Sequence, residues 1–116
     1  RHTLHPADKI LCELAHEHPR QVTLVNLGPL TTLATALDRD PTLPAVLDQT
    51  VIVGGCWREA GNAGPLSEFH IHLDPDAAKR VFAAELNPLL VPLDTTRKLI
   101  FSPSDLLELP NPDSRT

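Results

Sequence analysis

Glu68-Phe69-His70-Ile71-His72 is the densest run of chemically capable side chains in the sequence. In an extended segment side chains alternate between faces, so Glu68, His70 and His72 would share one side and could ligate zinc at short spacing. No fourth ligand or base is evident beside them, and solvated or hydrogen-bonded side chains are the competing reading. Cys56, beside Trp57, would be a nucleophile only if a base activated it. Neither Gly-x-Ser-x-Gly nor a Cys-His signature is present, and a small apolar role suits it better. Gly54-Gly55 either lets a ligand approach the backbone closely or marks a tight bend. Asn26-Leu27-Gly28-Pro29-Leu30-Thr31-Thr32 offers carbonyls and N–H groups to a cation or an anion, without the Lys or the glycine spacing of a phosphate loop. An ordinary turn is an equal alternative there. His16 and His18 fall on different faces of their helix and form no joint site.

These residues lie on a chain that alternates helical and strand-like stretches. Pro6 and Asp8 open a helix carrying Ile10, Leu11, Leu14 and Ala15 at helical spacing, and Pro19 ends it. Val22-Thr23-Leu24-Val25 is apolar on both faces, the character of a strand inside a parallel sheet. Leu30, Leu33, Ala34 and Leu37 mark a second helix ending near Asp40-Pro41, and Leu43 to Leu47 add a helical turn. Thr50-Val51-Ile52-Val53 repeats the first strand and runs into Gly54-Gly55. The loop from Cys56 to Ser67 has neither period, and a loop that long in a small domain is usually functional or disordered. Asp74-Pro75 supplies an N-cap and a first-turn proline for a helix whose apolar face is Ala77, Ala78, Val81 and Phe82, with Asn87-Pro88 as its stop. Leu89 to Leu93 is a third strand, and Pro92 places it at an end or an edge. Ser102-Pro103-Ser104-Asp105 begins a last helix in capping-box fashion, and 110–116 is a polar tail. Strands alternating with helices imply right-handed crossovers, a parallel sheet and an α/β fold. Ligands bind such folds outside the carboxyl ends of the strands, here Leu27 to Thr32, Gly54 to His70 and Asp94 to Arg97.

Composition narrows the function classes. The 116 residues are 41% hydrophobic and 22% charged, enough for one small globular domain. A net charge of −5 with scattered Lys and Arg gives no positive face for nucleic acid. No apolar stretch is long enough for a membrane span, and no export signal stands at the start. Two cysteines, Cys12 and Cys56, make neither a disulfide framework nor a four-cysteine zinc site, which suits a cytoplasmic setting. The sequence has no Met and reads as a segment of something longer.

Taken together, Val22 to Ala34 with its Asn-Leu-Gly-Pro-Leu-Thr core, Val51-Ile52-Val53-Gly54-Gly55, Gly61-Asn62, Glu68-Phe69-His70 and Asp74-Pro75-Asp76-Ala77-Ala78 resemble the inosine-uridine preferring nucleoside hydrolase family in order and in spacing. The resemblance runs from Pro6 to Pro92-Leu93-Asp94-Thr95-Thr96. It implies a Rossmann-like, parallel-sheet α/β nucleoside hydrolase core, incomplete in this chain, with 1–109 as the central part of the domain and 110–116 as a tail. It further implies an enzyme that hydrolyses the N-glycosidic bond of ribonucleosides with the help of calcium. A hard cation held by oxygens grips ribose hydroxyls and lowers the pKa of a bound water, while carboxylates stabilise positive charge growing on the sugar.

Carried over position by position, Leu27 corresponds to the residue whose backbone carbonyl ligates calcium, and Asn62 and Glu68 to the ribose-binding Asn and Glu. His70 stands where the family has Asn and would meet the ribose with a different shape and a titratable ring. Val53 replaces the usual Met and Thr32 the usual Asn. The family's D-x-D-x-x-x-D-D motif, which supplies calcium ligands and the catalytic base, is not in this sequence. The base is therefore expected in a preceding segment, and the 116-residue chain alone is expected to be inactive. Self-association into a homo-oligomer is compatible with this reading. Two alternatives stay open: a non-catalytic nucleoside- or ribose-binding protein, and a zinc hydrolase using Glu68, His70 and His72.

Overall fold

The computed structural model describes residues 5–107. Its elements follow the order α1 (Ala7–Glu17), β1 (Thr23–Asn26), α2 (Thr31–Arg39), α3 (Leu43–Val46), β2 (Gln49–Val53), α4 (Phe69–Leu73), α5 (Pro75–Ala83), β3 (Leu89–Val91), α6 (Leu93–Thr96) and α7 (Pro103–Leu107). The three strands pair in parallel in the order β1-β2-β3, with Val25 opposite Val51 and Val51 opposite Leu89. Parallel neighbours need crossovers long enough to return the chain, and the helices between the strands supply them. The α/β architecture expected from the alternation of periods is the one observed.

The core lies between one face of the sheet and α1, α2 and α5. Leu33, Ala34 and Ala36 of α2 are fully buried, as are Ala15 of α1, Ile52 of β2, and Ala77 and Val81 of α5. Small residues on facing helix sides let α1 and α5 flank α2 closely, and the long side chains of Leu30, Leu33 and Leu43 join Ile52 of β2 in one buried cluster. Polar ties fix the helix pairs. Arg39 Nε donates to Asp8 Oδ2 at 2.7 Å and joins α2 to α1, and Thr31 Oγ1 donates to Asp74 Oδ2 at 2.5 Å and joins α2 to the start of α5. Asp74 also accepts the Ala77 N–H at 2.9 Å, the N-cap that Asp74-Pro75 signals. Ser102 and Asp105 form the expected box, Ser102 N–H and Oγ both donating to Asp105 Oδ2 at 2.6 Å.

Four local expectations are corrected. Strand β1 is not buried on both faces: its residues alternate between exposed and half-buried, and Val25 is 53% exposed. It is an edge of the sheet, and the helices packed into the core cover only the face carrying Leu24, Thr50 and Ile52. Helix α5 ends at Ala83, before Asn87-Pro88, because the chain turns extended at Ala84, buries Leu86 against the core and gives Asn87 a φ of 44°. The third strand stops at Val91. Beyond it Pro92 starts the single turn α6, its carbonyl accepting the N–H groups of Thr95 and Thr96. Most consequential, 69–73 is helical, so Glu68, His70 and His72 do not share the face that an extended segment would give them.

The tail at 110–116 lies outside the described residues. Among the described residues no helix is long and apolar enough to cross a membrane. Because Leu33 sits at the centre of the α1–α2–α5 layer, Leu33→Ala in the intact protein should cost about 2–5 kcal/mol, and half-buried Leu37→Ala less. Chemical denaturation of the two variants measures the difference.

Candidate active site

At the carboxyl end of β2 the chain passes through Gly54-Gly55, and Glu68 reaches back to it from the start of α4. Glu68 is 4% exposed. Its Oε2 accepts three backbone N–H groups, from Gly55 and His70 at 3.0 Å and from Ile71 at 3.3 Å, so one oxygen both caps α4 and ties it to the strand end. A Cβ at Gly54 would stand 3.1 Å from Glu68 Oε2 and 3.8 Å from the His70 Cβ, tight enough that the carboxylate would have to give way by a few tenths of an ångström. The close approach that Gly54-Gly55 permits is thus made by the protein's own carboxylate. Burial pushes the Glu68 carboxyl up, but the N–H donors of Gly55, His70 and Ile71, with the charge of His70, outweigh it and hold the group below the usual glutamate range.

His70 places its ring beside the same carboxylate, with Nδ1 3.3 Å from Glu68 Oε1. That nitrogen is buried and has no hydrogen-bond partner among the described residues. Asn62 arrives from the long loop: its Oδ1 accepts the Phe69 N–H at 2.8 Å and docks the loop on the first turn of α4. The loop closes on itself just there, with Asn62 and Ala63 N–H both donating to the Ser67 carbonyl. Only glycine fits at 61, because a Cβ would collide with the backbone of Ser67 and Gly64. The structure therefore brings Asn62, Glu68 and His70 to one strand end.

Leu27 follows β1 on the same rim and is 70% exposed. Its carbonyl accepts no hydrogen bond among the described residues, while the preceding Asn26 side chain donates to the Gly28 carbonyl at 2.5 Å and sets the turn. A lone free carbonyl suits a hard cation as one ligand of several. No group of three or more His, Cys, Asp or Glu side chains among the described residues is placed to hold a metal ion, so the zinc trio of Glu68, His70 and His72 is not assembled. Cys56 directs its thiol to the Leu66 carbonyl at 3.5 Å, a contact that fastens the loop.

The sequence puts one more carboxylate at this rim without giving it a partner. Asp94, in α6, accepts the Trp57 N–H at 2.9 Å and the Arg58 N–H at 2.8 Å, and those two donors hold its carboxyl below the usual aspartate range. The partners are more than 35 residues apart in sequence, and no local pattern announces the pair. Asp94 also lines a cavity of about 500 Å3 beside the strand end, together with Gly54, Gly55, Trp57 and Leu90. Clefts of that size suit small ligands.

The parallel α/β sheet thus carries Asn62, Glu68 and His70 at one strand end. The sequence profile of the family described as inosine-uridine preferring nucleoside hydrolase matches residues 2–115, and the chain belongs to that family. It is 40% identical over 105 residues to uridine nucleosidase 1 of Arabidopsis thaliana, a match that takes in 90% of this chain and 31% of the relative. Its fold superimposes on a plant nucleoside hydrolase with a TM-score of 0.82 at 36% identity, over 87% of this chain and 32% of the other. An inosine-uridine preferring nucleoside hydrolase from Bacillus anthracis gives 0.79 at 30% identity, over 86% and 35%. The chain spans about a third of the length of these relatives.

The Glu68 cap has a definite pH sign. A carboxyl whose folded pKa is depressed contributes stability that is fully present above its ordinary value, 4.5, and is lost as pH falls through the folded value. In the intact protein the wild type should lose stability to acid more steeply below that point than Glu68→Gln, which has no charge to lose. Denaturation midpoints of the two proteins across the acid range check this, and parallel curves would remove Glu68 as the source.

Proposed function

We propose that the protein carrying this chain hydrolyses the N-glycosidic bond of ribonucleosides to ribose and free base, residues 1–109 forming the central part of a nucleoside hydrolase domain. Membership of the family supports the reaction class. The observation that carries the site assignment is the buried Glu68 carboxylate held at the Gly54-Gly55 strand end, with Asn62 and His70 beside it.

In this reading Glu68 and Asn62 bind ribose hydroxyls, Glu68 accepting through Oε1 and Asn62 donating through Nδ2. The negative charge of Glu68 also stabilises the positive charge that grows on the sugar as the C–N bond breaks. His70 contributes a ring nitrogen to the same sugar. The Leu27 carbonyl is one ligand of a calcium ion, which when bound orients ribose and makes a water more acidic. In this reading the other metal ligands and the base that takes a proton from the attacking water are those of the family's D-x-D-x-x-x-D-D motif and a later Asp, which these 116 residues do not contain. A reducing cytoplasm suits Cys12 and Cys56, both of which are free thiols.

The test uses the full-length protein and uridine first, following the name of the Arabidopsis relative. Glu68→Ala and Asn62→Ala should each lower kcat/KM by about 10²–10³, the scale for a group aimed at developing charge. Unchanged turnover in both would remove them from the site. Dialysis against a chelator should abolish activity and added calcium should restore it, whereas recovery with zinc alone would overturn the metal assignment. The 116-residue chain by itself should release no base.

A second reading, a protein that binds ribose without cleaving it, is favoured by His70 standing where the family has Asn. Calorimetry would support it by showing saturable nucleoside binding by the full-length protein with no base released.

A further inference from the structure

Resting on the reading that Asn62 contacts ribose, we propose that Asp94, seconded by Arg97, is a positioning residue that clamps the loop carrying Asn62. The loop between Gly55 and Asn62 has little apolar anchorage. Residues 57–60 are all exposed, and Trp57, the one large apolar side chain among them, is 79% exposed. Burial cannot fix the path of such a segment, so its hydrogen bonds must.

Beside the Cys56 thiol contact to Leu66 and the Gly61 N–H to the Pro65 carbonyl, those bonds come from the turn after β3. Leu93 N–H donates to the Gly55 carbonyl at 2.9 Å, Asp94 accepts from Trp57 and Arg58, and Arg97 donates to Glu59 Oε2 at 2.9 Å and to the Gly61 carbonyl at 3.4 Å. The loop is gripped along its first half by one helical turn, and its next residue is Asn62, whose own carbonyl is docked on α4. An ionised carboxylate suits the central grip because it is acceptor-only, with an oxygen for each of two adjacent N–H groups. An amide in its place would turn an NH2 toward one of them.

The full-length protein tests this through Asp94→Asn. Faster backbone hydrogen exchange over 55–62, with exchange in β1 and α2 unchanged, and kcat/KM for uridine lowered about 10- to 100-fold are the expected results, because small displacements of a contacting group carry penalties of that order. If Asp94 acts through Asn62, the same substitution in an Asn62→Ala background should cost little more, whereas multiplying losses would overturn the assignment. Unchanged loop exchange, or a loosened loop with wild-type kcat and KM, would overturn it as well. Should Asp94→Asn not fold, Arg97→Ala decides by the same readings, since it removes only the Glu59 and Gly61 contacts. If the wild-type protein cleaved no nucleoside, the hydrolase reading would fall, while the exchange comparison would still decide the clamp: faster exchange in the variant supports it and identical exchange refutes it.

Discussion

A carboxylate taken out of water has to be given back the hydrogen bonds it lost, and the way Glu68 recovers them organises the whole rim. A single oxygen gathers the N–H groups of Gly55, His70 and Ile71. Two of those belong to the first turn of α4 and one to the end of β2, so satisfying the charge also fixes the angle at which the helix meets the sheet. The consequence spreads both ways along the chain. Ile71 of α4 packs against the core, and Asp74, which closes α4, caps α5 and holds α2 through Thr31. Forward of Gly55, the loop must leave the strand and return to Phe69, which it does by docking Asn62 on the same helix start.

The sequence was most legible where a rule is local. Asp74-Pro75 announces an N-cap and a first-turn proline, Ser102 and Asp105 announce a box, and the apolar runs of β1, β2 and β3 mark the strands to within a residue or two. It was less legible where packing overrides a local pattern. The Glu68-to-His72 run has no residue that forbids a strand, and it becomes a helix because Glu68 finds N–H donors at its start and Ile71 finds the core. The sequence of β1 looks doubly buried, but burial depends on what lies over each face.

Asp94 was legible only as a polar residue at a strand end. Its role comes from two N–H groups on a loop that reaches it through the folded sheet. Asn62, Glu68, His70 and Leu27 stand out as candidates only through linked motifs, since each alone is compatible with an ordinary turn or cap. What the motifs do not carry is how much of each group is already committed to the fold. Glu68 has assigned one oxygen to backbone N–H groups, and Asn62 has assigned its carbonyl to Phe69.

That commitment constrains what a ligand can be offered. What remains is the second oxygen of Glu68, which faces Nδ1 of His70 at 3.3 Å, the NH2 of Asn62 and the other nitrogen of the His70 ring. A pair of neighbouring hydroxyls, each able to donate and accept, matches that set better than a phosphate, which would present only acceptors to Glu68. It also matches it better than an apolar ligand, which would leave all three unsatisfied in a partly buried place. Under the ribose-binding reading, fixing Glu68 and Asn62 through backbone N–H groups would lower the reorganisation that binding requires. The hydrogen bonds that build the rim and those that remain for chemistry are therefore made by different atoms of the same side chains, and the position of the second set is determined by the first.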